Sequence, residues 1–118
     1  MAVERLEITN REPYQDGESF GSGGSYERVD AIVHYVVDPA LAANQPIADI
    51  HLASRVNGAV RFTGDLTLLI PEGGGNRSML FEAPNRGNRV LNRMLNQGPV
   101  GLMPSAEILP GDAFLMRH

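Results

Sequence analysis

The sequence predicts a β-rich α+β or incomplete α/β fold. The expected architecture is a mixed sheet of about five strands, with one hairpin over 47–70 and one or two short C-terminal helices. Three observations predict it. Several segments of five to twelve residues alternate apolar with polar or are crowded with β-branched residues. Thirteen glycines and eight prolines in 118 residues supply many tight connections. Helical spacing of apolar residues is concentrated late, where Val90, Leu91, Met94 and Leu95 form one stripe.

Val3 to Thr9 is a first strand, with Val3, Leu6 and Ile8 apolar and Glu4, Arg5 and Glu7 charged. Asn10 to Ser25 is a long connection, broken by Pro13, Asp16-Gly17 and the run Gly21-Ser22-Gly23-Gly24-Ser25. A glycine run of this kind can cradle phosphate, but no Gly-Lys-Ser/Thr ending follows it. A plain loop fits better. Tyr26 to Val37 is the strongest strand, rich in Ile32, Val33, Tyr35, Val36 and Val37, and Asp38-Pro39 ends it.

Ile47 to Ala53 and Val60 to Ile70 read as a hairpin around Asn57-Gly58, a pair suited to positive φ. Val60, Phe62, Leu66, Leu68 and Ile70 share one face of the second strand, opposite Arg61, Thr63, Asp65 and Thr67. A two-residue loop would set Leu52 against Thr63 and mix the faces, so an odd loop or a bulge is expected. A three-residue loop places His51 across from Asp65. Such a pair forms half of a relay or metal site, or simply a polar cross-strand contact on a solvated face. The third-ligand spacing of an HExxH motif is absent, so neither metal nor cofactor is implied.

Pro71 to Arg77 is a second glycine-rich turn, and Ser78 to Ala83 a short fifth strand around Met79-Leu80-Phe81. The turn Pro84-Asn85-Arg86-Gly87 leads into a helix over 88–97, with Asn88 as N-cap and Gly98-Pro99 as stop. Arg86, Arg89 and Arg93 flank the stripe, as an anion site or a solvated basic face. After the loop of Pro104 and Pro110, Asp112 caps a short turn, 113–116. A strand and crossover helix ordinarily return to a parallel neighbour, and no return strand is legible here.

A single domain over 1–118 is expected. A net charge of −4 argues against general nucleic-acid or anionic-membrane binding. Three tyrosines, four phenylalanines and no tryptophan make a poor base-stacking surface. No cysteine is present, which removes disulfides and thiolate chemistry. Neither a secretory leader nor an apolar run near the ~20 residues of a membrane span is visible, so a cytoplasmic setting is expected.

The chain resembles the start of a family of large bacterial α/β-hydrolase-domain proteins. The resemblance runs through Phe20-Gly21 with Tyr26-Glu27-Arg28, Val37-Asp38-Pro39 with Asn44, and Asp49 to Ala53. It continues through Gly58 to Phe62, Asp65, Leu68-Leu69 and Pro71, then Asn85-Arg86-Gly87-Asn88 and Gly111 to Arg117. Nearly the whole chain is covered in order, although no single piece is specific. The resemblance implies ester or amide hydrolysis by the complete family. It implies an oxyanion-hole turn at Asn85, Arg86 and Gly87, where the alternative is an ordinary strand-to-helix turn. No G-x-S-x-G nucleophile elbow occurs, so no catalytic residue is assigned and the chain is expected to be inactive alone. The expected partner is then the remainder of the hydrolase domain or a second chain. The rival expectation is a stand-alone β-rich binding or structural module that forms a homo-oligomer; phosphate or nucleotide binding ranks below both.

Overall fold

The computed structural model describes residues 2–83. Three twelve-residue strands, β1 (Ala2–Pro13), β2 (Tyr26–Val37) and β3 (Val60–Pro71), form one antiparallel sheet in the order β1-β2-β3. Each strand neighbours the next in sequence, so the sheet is a meander with β2 at its centre. The central position suits β2, because its alternate residues Val29, Ala31, Val33 and Val37 are all buried. Arg28, Asp30 and His34 occupy the other parity and lie on the opposite face.

The register between β2 and β3 follows from two side-chain pairs. Thr67 donates to Asp30 over 2.7 Å, and Tyr35 stacks on Phe62 with ring centroids 4.8 Å apart. Both pairs obey a single register, which places Ile32 across from Asp65. The face alternation expected for Val60 to Ile70 is therefore observed, but its partner is β2.

The expected strand over 47–53 is not formed. Ala42–Asn44 and Ile50–Leu52 are 3-10 turns, and Asp49 between them is left-handed at φ 57°. Local bonds claim the backbone: Asn44 N–H donates to Leu41, Ile47 to Asn44, Leu52 to Asp49 and Ala53 to Ile50. Groups committed to i→i+3 turns are not free for a ladder. The Asn57-Gly58 turn is real but contains two residues, with φ of 52° and 80°. Val56 and Ala59 exchange both N–H···O bonds across it, at 2.8 and 3.2 Å. The parity conflict that ruled out a two-residue loop is thus avoided in another way: the residues before the turn never pair with β3.

The chain divides into two compact units, Met1–Glu12 with Arg28–Leu68, and Pro13–Glu27 with the residues from Leu69. The first contains the buried valines of β2. It also contains Asn44, buried to 4%, whose side-chain amide donates to the Asp38 carbonyl over 2.7 Å. In the second, Tyr14 and Phe20 are buried, with Tyr26 and Leu69 packed against them. Tyr26 meets Phe20 edge-on at 6.1 Å, a favoured arrangement for aromatic rings.

The glycine run serves this aromatic cluster. Phe20 N–H donates to the Gly24 carbonyl over 2.9 Å, and Gly23 N–H donates to Phe20 over 3.0 Å. These amides close the loop beneath Phe20 and so are not offered to a phosphate. Ser78 to Ala83, expected as a strand, carries no regular structure; Met79, Leu80 and Phe81 are 83%, 56% and 70% exposed. The sheet of the described residues therefore has three strands where about five were expected. The expected helices lie outside the described residues, as does the turn Asn85, Arg86 and Gly87.

Candidate functional site on the polar face of the sheet

Period-two alternation gathers many of the first unit's polar side chains on one sheet face, and Glu4, of the other parity, joins them through Arg61. Two clusters result. In the first, Asp30 accepts from Arg28 Nε at 2.9 Å, Arg28 Nη2 at 3.3 Å and Thr67 Oγ1 at 2.7 Å. Arg28 and Asp30 are two positions apart on one strand, so they project side by side. Thr9 of β1 donates to the Asp30 carbonyl over 3.1 Å, tying all three strands to this point. Partial burial alone would raise the Asp30 carboxyl. The hydrogen bonds from Thr67 and Arg28, the Arg28 charge and a bond from Asn10 outweigh it and hold the carboxyl below the usual range.

In the second cluster, His34 Nε2 lies 2.9 Å from Glu7 Oε2 and 2.9 Å from Arg5 Nη2. Arg5 Nη2 is itself 2.9 Å from Glu7 Oε2. One imidazole nitrogen cannot serve both neighbours at once: protonated, it donates to Glu7, and bare, it accepts from Arg5. The hydrogen bond from His34, followed by the Arg5 charge, holds Glu7 below the ordinary carboxylate range. Nearby, Arg61 of β3 bonds Glu4, and that bond, reinforced by the charges of Arg61, His34 and Arg5, lowers Glu4 as well. Opposite charges are thus closely matched across this face, in a largely solvated setting where each pair contributes little to stability.

Chemically, these groups orient and compensate one another. Among the described residues, no group of three or more His, Asp or Glu is arranged to hold a metal ion. Ser25, at the start of β2, donates its hydroxyl to Glu72, whose N–H donates back to the Ser25 carbonyl over 3.0 Å. A carboxylate can accept a serine proton's hydrogen bond, but nucleophilic activation of the usual kind needs an imidazole at the hydroxyl. His34 is occupied by Glu7 and Arg5. His51 sits exposed in the 3-10 turn Ile50–Leu52, and Asp65 lies on β3. The cross-strand pair expected of His51 and Asp65 requires a strand that is absent, so the register across Asp65 belongs to Ile32.

The polar clusters were not foreseen because the first depends on β3, and the second on β1, lying beside β2. Alternation identified which residues share a face within a strand, but it carried no information on which strand lies alongside. The one visible signal was the spacing Arg28, Asp30 and His34 within an otherwise apolar strand, since charges at one parity of a central strand require partners. Among the described residues, no helix is long and apolar enough to cross a membrane. In comparisons with protein-family models, curated proteins and solved structures, the chain matches none of them.

Proposed function

We propose that the chain is the β-rich front segment of an α/β-hydrolase-like protein acting on ester or amide bonds. In this role it supplies sheet and the Asn85-Arg86-Gly87 turn, not the nucleophile. The ordered set of residues from Phe20 to Arg117 carries this reading. The absence of a G-x-S-x-G elbow and the occupation of Ser25 by Glu72 and of His34 by Glu7 and Arg5 support the non-catalytic part. The partner is the remainder of the hydrolase domain, in the same chain or a second one. The lack of cysteine supports a cytoplasmic setting.

Hydrolysis of a simple activated ester by the purified chain tests the assignment. The expected rate equals the protein-free background. Turnover that disappears in Ser25→Ala would overturn it.

A second reading is a β-rich binding or structural module that self-associates. Strand β1, exposed and at the edge of the sheet among the described residues, favours it. Calorimetry separates the two readings: one cooperative transition with equal calorimetric and van't Hoff enthalpies favours the module. Dye binding without a cooperative transition favours a segment that needs the rest of a sheet.

A further inference from the structure

Among the described residues, β1 pairs on one side only, with β2. It is twelve residues long and exposed along nearly its whole length. Val3, Leu6 and Ile8 are 59%, 48% and 47% exposed, although a strand of this composition ordinarily buries such residues. An edge with unpaired N–H and C=O groups and uncovered apolar residues is a template for another strand.

The charges of β1 select what that strand is. The geometry points to a second copy of this chain, with β1 pairing antiparallel to β1 about a two-fold axis at Leu6. This inference rests on the self-association reading and adds its partner surface and register. With the axis at Leu6, Leu6 faces Leu6 of the second copy. Arg5 faces Glu7 of the second copy, and Glu7 faces Arg5, so two opposite-charge pairs form symmetrically. Val3 falls against Thr9. The paired stretch stops before Pro13, which has no N–H to donate.

Neighbouring registers are worse. An axis at Arg5 sets Arg5 against its own copy, and one at Glu7 does the same with carboxylates. An axis at Ile8 opposes Arg5 to Arg11 and Glu4 to Glu12. One at Thr9 matches Glu7 with Arg11, but it sets Leu6 against Glu12 and draws Pro13 into the ladder. The Leu6 axis sets Glu4 against Ile8, but of these registers it alone combines an apolar pair, Leu6 on Leu6, with opposite-charge pairs, Arg5 on Glu7. With the axis perpendicular to the sheet, each copy keeps its faces aligned with the other's, and a continuous six-stranded sheet results.

Sedimentation velocity of the full chain over a wide concentration range tests this. A dimer is expected. Leu6→Lys, which opposes two ammonium groups at the axis, is expected to weaken it at least tenfold. Arg5→Glu is expected to weaken it similarly, and the double variant Arg5→Glu/Glu7→Arg to restore it, with the unfolding midpoint of each variant unchanged. A dimer indifferent to all three variants would overturn the register while leaving self-association standing. A monomer at every concentration would overturn both.

Discussion

Asp30 accepts hydrogen bonds from side chains of its own strand and of β3, while its backbone carbonyl takes one from β1. Asp30→Asn keeps the shape but replaces one acceptor oxygen with a donor that faces Arg28 or Thr67. The expected loss is about 1–2 kcal/mol, read from the urea midpoint. The carboxyl is held below its ordinary value near 3.8. A depressed carboxyl stabilises the folded state at all pH above that ordinary value, and the contribution disappears as pH falls through the lower folded value. The wild-type stability curve should therefore drop more steeply below about pH 4 than that of Asp30→Asn, whereas between pH 6 and 8 this group should add no slope.

Turns, more than strands, decide how far each element could be read from its residues. The bounds of β2 and β3 were legible because both carry period-two patterns and stop at a proline signal, β2 just before Asp38-Pro39 and β3 at Pro71. Ile47 to Ala53 shows the same alternation, yet it folds into turns. Alternation over so few residues does not distinguish a strand from consecutive 3-10 turns, and Pro46 and left-handed Asp49 interrupt an extended backbone. Asn57-Gly58 was legible as a turn because both residues tolerate positive φ, but its reach was overestimated. A similar local requirement acts at Gly75, where φ is 58° and an added Cβ would lie 2.8 Å from the Pro71 ring. The ring is rigid, so Gly75→Ala has no inexpensive adjustment. A loss of about 1–3 kcal/mol is expected in thermal melts. Gly73→Ala, with nothing within 4 Å of its added carbon, is the control and should be close to neutral.

At the largest scale, apolar burial among the described residues is divided between two groups. One consists of Val29, Ala31, Val33 and Val37, and the other is the aromatic set of Tyr14 and Phe20 with Tyr26 and Leu69. The first was legible as a strand dense in β-branched residues. The second was not, because Tyr14 and Phe20 stand in a stretch punctuated by glycine and proline that offers no period to read. Phe20→Ala should cost about 3–5 kcal/mol, with the near-ultraviolet tyrosine signal the first to weaken on heating. Of the proposed oxyanion turn, the residue types alone were legible. Residues 78–83, without strand or helix and bearing exposed Met79, Leu80 and Phe81, also have a practical outcome. A protease that prefers large apolar residues needs an accessible, irregular backbone to seat its substrate. Brief digestion of the native protein should nick the chain beside Leu80 or Phe81 while β1, β2 and β3 stay whole, giving a shortened product for crystallisation.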